Sequence, residues 1–266
     1  VSDVVQYEKI GSKSGNLVTT SRHQLYINNA NMDTTLGVET IAVRGRRSFA
    51  HELNNVDVPA RDGVMHVSKN LKTRVLYVTL AIRRDHFDDF HAVYQKLNKR
   101  LVVAKEVKFS DENLIYYCRF ESASEPDEGA LYQEIELKFV CHDPFKYSEL
   151  LSMGYTSGTV LTIKSDYPVK PVITLDYSTK GFTEFNLTNA TTNRLVAMRD
   201  VSTGVERYYK LDFKSHEVSK GASNENALQH LSMMSDFEDF TIANGDQLVI
   251  DNKPISIVIK YQGVFL

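Results

Sequence analysis

Hydrophobic and polar positions alternate along most of this chain with a period of two, the spacing that sends successive side chains to opposite faces of a β-strand. In "TRVLYVTLAIR" (73–83), Leu76, Val78, Leu80 and Ile82 share one face and Val75, Tyr77, Thr79 and Ala81 the other. That pattern predicts a central strand covered on both sides. In "QEIELKFV" (133–140), Ile135, Leu137 and Phe139 alternate with Glu134, Glu136 and Lys138, as in an antiparallel strand with one wet face. "LIYYCRF" (114–120), "KPVITLDY" (170–177), "QLVID" (247–251) and "ISIVIKY" (255–261) predict further strands. One segment breaks the period. In "DHFDDFHAVYQKLNKRL" (85–101), Phe87, Phe90, Tyr94, Leu97 and Leu101 recur at steps of three and four, which predicts an amphipathic helix. Asp85 is placed to cap it, Asp88 and Asp89 stand in its first turn, and Lys96, Lys99 and Arg100 fall near its end, all favourable to the helix dipole. A weaker helical signal covers Tyr147 to Met153. The expected fold is mainly β with one α-helix in the N-terminal part.

Turn-forming residues divide these elements. "FESASEPDEGAL", between Arg119 and Tyr132, predicts the tip of a long hairpin over about 114–140, acidic through Glu121, Glu125, Asp127 and Glu128. After "DPFKYS" the Gly- and Thr-rich "MGYTSGT" is the best domain boundary, giving residues 1–147 and 148–266, with the last strand free to pack back toward the first domain. A chain of 266 residues is long for one core and comfortable for two.

Composition narrows the classes. Apolar residues are 42% and charged residues 24% of the chain, an ordinary globular balance. No window approaches a membrane-spanning apolar run, and "VSDVVQYEKI" lacks the basic and apolar regions of a signal peptide, so a soluble, unprocessed chain is expected. Cys118 and Cys141 are too few for a disulfide framework and are expected as small buried residues in a reducing compartment. Residues 1–147 hold 20 basic and 20 acidic side chains, and residues 148–266 hold 11 and 14. Tight nucleic-acid binding usually shows as a basic excess, so it is disfavoured; "RGRR" (Arg44, Gly45, Arg46, Arg47) suggests instead a solvated loop or a contact between subunits.

Candidate chemistry is sparse. "FVCHDPFKYS" (139–148) sets Cys141, His142 and Asp143 side by side, the residue types of a nucleophile, a base and an orienting acid. Neighbours on an extended chain point to opposite sides, so Cys141 and His142 cannot meet within a strand. The eight histidines show no metal-ligand spacing, and His86 and His91, five apart on the helix, face different ways. Gly-rich phosphate loops and nucleophile elbows are missing, and the acids of "SDFEDF" (235–240) stand in no context that would raise a pKa. No catalytic, metal or cofactor residue is assigned.

"FVCHDPFKYS" resembles the strand end that closes the N-terminal domain in distal tail proteins (Dit) of long non-contractile-tailed phages infecting Gram-positive hosts, where a Cys-x-Asp-Pro-aromatic-x-Tyr run leads into the second domain. Upstream, residues 35–65 resemble that family's segment ending in a Pro-x-Arg-Asp-Gly turn, here Pro59, Ala60, Arg61, Asp62 and Gly63, with Ala60 in the place many members give to Gly. Downstream, residues 211–250 resemble its C-terminal β-sandwich, with Ser235, Asp236 and Phe237 and then the turn pair Asn244 and Gly245. The ending "IVIKYQGVFL" is similar to the family's closing Tyr-Arg-x-x-Trp-Leu, with Gln262 and Phe265 replacing Arg and Trp.

The resemblance implies a structural protein without cofactors at the distal end of a virion tail. It implies a hexameric ring of N-terminal domains around a channel through which DNA passes, galectin-like C-terminal domains pointing outward, and no membrane contact. Its partners would be the tail tube protein, the tail-tip hub protein and baseplate or receptor-binding proteins. Within that scheme Arg44, Arg46, Arg47, Glu121, Glu125, Asp127 and Glu128 are expected at interfaces. Cys141, Asp143, Pro144, Phe145 and Tyr147 form the joint, with Phe145 and Tyr147 pinning the linker to the first domain. The alternatives are a carbohydrate-binding β-sandwich of the virion tip, although the galectin sugar-site Trp is missing from a chain without tryptophan, and a cell-wall hydrolase.

Overall fold

In the computed structural model, which describes residues 23–59, 62–125, 131–177, 181–203 and 205–266, the period-two segments are strands. In chain order the first elements are β1 (Leu25–Ile27), β2 (Ala30–Asn31), α1 (Met32–Leu36), β3 (Glu39–Arg44), β4 (His51–Asp57), β5 (Val64–Leu71) and β6 (Arg74–Arg83). There follow α2 (Phe87–Val102), β7 (Glu106–Phe109), β8 (Glu112–Tyr117), β9 (Arg119–Ala123), β10 (Tyr132–Cys141) and β11 (Lys146–Tyr155). The last are β12 (Val172–Asp176), β13 (Phe185–Asn189), β14 (Arg194–Met198), β15 (Tyr208–Asp212), β16 (Glu217–Lys220), β17 (Glu225–Asn226), β18 (Leu248–Ile250) and β19 (Ser256–Phe265). No described helix is long and apolar enough to cross a membrane.

Two compact units emerge, and they interleave along the chain. Among the described residues, one comprises those within 23–47, 75–111 and 119–140; the other comprises those within 48–74, 112–118 and 141–266. The division therefore falls elsewhere than the expected 147/148, which lies inside β11. The last strand, β19, pairs with β11 and β12, both in the second unit, rather than returning to the first.

In the first unit β3, β6, β10 and β9 form a sheet in that order. Leu76, Val78, Leu80 and Ile82 of β6 are fully buried, while on the other face Ala81 is buried and Val75, Tyr77 and Thr79 are half-buried, so the second face of this central strand is closed less completely than the first. Strand β10 alternates as expected, with Ile135, Leu137 and Phe139 inside. Helix α2 buries Phe90, Val93, Leu97 and Leu101 and leaves Phe87 exposed, a stripe rotated from the expected one. Its N-cap is His86, which makes no side-chain capping bond, and Asp85 precedes the cap. Asp33 in α1 is buried but satisfied: it accepts from Leu25 N (3.0 Å), Thr40 N (2.9 Å) and Thr40 Oγ1 (2.8 Å), tying β1 and the start of β3 to α1.

The second unit carries strands in the order β17-β16-β15-β12-β19-β11-β8, and a separate sheet β14-β13-β18. Ile173, Leu175, Leu211 and Ile259 from the first sheet meet Phe185, Leu187, Val196 and Ile250 from the second in one core. Tyr177, Phe185 and Tyr209 pack ring to ring at 5.3–6.4 Å. The acids of "SDFEDF" serve this fold. Asp236 accepts from Leu195 N (3.0 Å) and Arg194 Nη1 (3.2 Å), and in the core Phe240 stacks on Phe213 while Phe237 packs tilted against it.

Two expectations about local structure are corrected here. Residues 114–120 are two strands, β8 and β9, broken at buried Cys118, because β8 pairs with β11 and β9 with β10. The long hairpin is accordingly β9–β10 alone. Tyr147 to Met153 is strand and not helix. Between Tyr147 and Leu150, strand β11 advances three residues against two of β19, and this bulge produces the apolar step of three that imitates a helix.

Candidate interaction surfaces

The three arginines of "RGRR" have three different fates. Strand β3 ends at Arg44, and Gly45 takes φ +90° where an added Cβ would stand 1.9 Å from Val75 O, so only glycine fits. That turn sends Arg46 inward. Its guanidinium donates to Asp111 Oδ1 (2.8 Å) and Oδ2 (3.0 Å) and lies 4.8 Å from the centre of the Phe109 ring. His23 Nδ1 stands 2.9 Å from Asp111 Oδ2. Burial alone would raise the Asp111 carboxyl, but the Arg46 hydrogen bonds and the charges of Arg46 and His23 outweigh it and hold the group below the usual carboxylate range. Arg46 is thus a buried structural residue, not the surface contact its run of basic neighbours suggests. Arg44 pairs with Glu136 across the sheet and covers Tyr77. Arg47 remains exposed and makes no ion pair among the described residues.

On the acidic hairpin, Glu121 holds Lys138 Nζ at 2.7 Å, a hydrogen bond that raises the lysine's pKa, while Glu125 is exposed. Asp127 and Glu128 lie outside the described residues, as do Ala60 and Arg61 of the Pro-x-Arg-Asp-Gly turn.

The joint is built from side chains that hold one another. Cys141 is fully buried at the end of β10. Asp143 Oδ1 accepts from Phe145 N (3.0 Å), and its other oxygen accepts the Tyr147 hydroxyl. Burial, then this bond to a carboxylate, push the Tyr147 phenol well above its ordinary value. Pro144 O accepts from buried Arg74 Nε (2.8 Å). Phe145 packs edge-on against Tyr167 at 4.8 Å, and Tyr147 against Tyr117 at 5.1 Å. Tyr117, the partner of Tyr147, lies within 1–147 although in the second compact unit, and Tyr167, the partner of Phe145, lies beyond it, so only the Phe145 contact departs from the expected pinning to the first domain. Sequence spacing did not point to Gln262, which donates to Tyr117 Oη and Ser148 O, both at 2.9 Å, where the family places Arg. Among the described residues no group of His, Cys, Asp and Glu could hold a metal ion.

A further surface carried no signal in the sequence reading. Among the described residues strands β4 and β5 pair only with each other, and almost every residue in them is exposed. Val56 and Met65 are cross-strand partners at 52% and 51% exposure, so two apolar side chains share a wet face, and Val67, at the bulge beside them, is 59% exposed. Leu53 and Val64 add to the uncovered apolar surface of this ribbon.

Known proteins share this architecture. Residues 34–141 match the phage tail protein RIFT-related domain. The distal tail protein of Bacillus phage SPP1 is 27% identical over 200 residues, covering 73% of this chain and 79% of that protein. The crystal structure of SPP1 Dit, a hub adsorption apparatus protein, superposes with a TM-score of 0.78 at 20% identity, over 92% of this chain and 99% of that chain. A chain of the phage p2 baseplate in its activated conformation superposes with a TM-score of 0.53 at 11% identity, over 90% of this chain and 97% of that one. Residues 34–141 thus resemble a phage tail protein domain, and the chain shares the fold of phage tail-tip proteins. Within that class the chain is similar to the siphophage distal tail proteins, a likeness that supports a structural role at the tail tip.

Proposed function

We propose that six copies of this chain close into a ring at the distal end of the tail, joining the tail tube to the tail-tip hub around a channel for DNA. The second unit, as a galectin-like sandwich facing outward, serves as the platform for baseplate or receptor-binding proteins. The observation that carries this reading is the β4–β5 ribbon. A two-stranded ribbon is marginal alone in water, and contiguous apolar side chains on it are the mark of a surface that another chain covers. A nearly neutral set of 20 basic and 20 acidic residues in positions 1–147 favours free passage of DNA, since each phosphate contact adds affinity. Cys141 is buried in the joint, and Asp143 and Asp236 hold hydrogen bonds within the fold, which supports a non-enzymatic role.

Mass photometry of the purified protein over a concentration series tests the reading. A species of six chains is expected, and Val56→Asp with Met65→Asp should remove it while the circular dichroism melt stays unchanged. A monomer at every concentration, or a six-chain species indifferent to both substitutions, would overturn the ring or the part assigned to the ribbon, respectively.

A further inference from the structure

Across β15, β12 and β19 the register aligns Asp212, Val172 and Lys260 in one row, so these side chains project to the same face. Their neighbours Leu211, Ile173 and Ile259 point the other way, into the core. The outward face opens into a cavity of about 520 Å³ with Leu150, Pro168 and Val172 among its apolar lining and Lys170, Lys214 and Lys260 among its polar groups. Leu150 is 67% exposed, so the apolar part of this surface is uncovered.

The charge there runs against its surroundings. Residues 148–266 hold 11 basic and 14 acidic side chains, yet three of the lysines line one cavity with a single carboxylate, Asp212. One oxygen of Asp212 is already engaged, accepting from Lys214 N and Ser215 N at 3.1 Å. Lys170 Nζ approaches only His216 Nε2, at 3.4 Å, and among the described residues Lys214 and Lys260 have no ion-pair partner. Like charges gathered around an apolar lining repel one another unless an anionic group comes between them.

We propose that this cavity binds an acidic polypeptide segment, and that the segment is the β9–β10 hairpin tip of a second copy of the chain. The mixed lining selects a peptide over a bare anion: carboxylates answer the lysines, and apolar side chains answer Leu150, Pro168 and Val172. In the sequence, Glu125, Asp127 and Glu128 place three carboxylates within four positions, with Pro126, Ala130 and Leu131 beside them. Glu125, two residues past the end of β9, is exposed and available to another chain. Head-to-tail contacts of this kind join two different patches and close into rings when the rotation permits. The inference rests on the ring reading for its partner, but the recognition itself is testable without a ring.

A labelled peptide of residues 122–132, titrated into the full chain and followed by fluorescence anisotropy, is the probe. Saturable binding that falls with salt is expected, and Lys214→Glu and Lys260→Glu should each weaken it by about two- to fivefold. In parallel, carbodiimide coupling in a mixture of light and ¹⁵N-labelled chains should join Lys170, Lys214 or Lys260 of one copy to Glu125, Asp127 or Glu128 of the other. Absence of saturable binding at low salt, or binding unchanged by both lysine substitutions, overturns the site. Peptide binding in a sample that stays monomeric supports the site and overturns the ring. A six-chain species without mixed-isotope coupling overturns the second-copy assignment and leaves the ring standing.

Discussion

Arg46 and Asp111 face each other through two parallel hydrogen bonds, 2.8 and 3.0 Å long, beside the ring of Phe109. Arg46 is 8% exposed, while Asp111 keeps about a quarter of its side chain in water, so the pair is only half-buried. Arg46→Ala should cost about 1–2 kcal/mol in urea unfolding, from lost charge-assisted hydrogen bonds and packing on Phe109. Arg46→Met with Asp111→Leu, which removes both charges, should cost less than the single substitution.

The same pair sets an acid limit. The Asp111 carboxyl is held below its ordinary range in the fold, so its contribution is complete above the unfolded-state value of about 3.9 and is lost as the pH falls through the lower folded value. Arg46→Ala should therefore move the acid-unfolding midpoint to higher pH. An unmoved midpoint would show that the pair does not govern acid stability.

Gly45 is the position most sensitive to one methyl group. Gly45→Ala meets Val75 O at 1.9 Å on a backbone with φ +90°, so β3 and β6 must separate there. A loss of about 3 kcal/mol is expected. Gly63→Ala, also at positive φ but with nothing within 4 Å of the added carbon, should cost about 1 kcal/mol. Comparing the two by thermal melting separates contact from backbone strain.

Tyr147 should be silent in an alkaline titration. Burial and its bond to Asp143 raise its pKa, so Tyr147→Phe should remove no tyrosinate absorbance below about pH 11, against an ordinary tyrosine value near 10. The raised value also means that the folding contribution is complete below about pH 10 and declines as the pH rises toward the folded value. Stability at neutral pH should fall by about 1 kcal/mol in Tyr147→Phe.

Cys141 is packing, not chemistry. Cys141→Ser places a hydroxyl in a fully buried site and should cost about 1–2 kcal/mol while leaving assembly intact. Infectivity lost with the fold retained would restore a chemical role.

Period-two alternation in 133–140 and the step of three and four in 85–101 are local properties of the chain, and both elements formed where they predict. So did burial of Cys118 and Cys141, which follows from small apolar side chains in strand patterns. Tyr147 to Met153 was illegible because a bulge is a mismatch between two strands, and one strand alone does not contain it. Arg46 was misplaced for a related reason: a charged side chain turns inward only if a partner waits, and Asp111 is 65 residues away. The exposed β4–β5 ribbon gave no signal because its pattern does not record whether anything packs on it.

Strand character, the position of the one long helix and the family motifs are written in the sequence, because backbone sterics and side-chain alternation act over a few residues. Which strands join which sheet, how the two units interleave along the chain, and which charges are spent inside the fold were decided only in the tertiary structure. Those outcomes depend on contacts between residues tens to more than a hundred positions apart, as between Gln262 and Tyr117, and no local spacing encodes them.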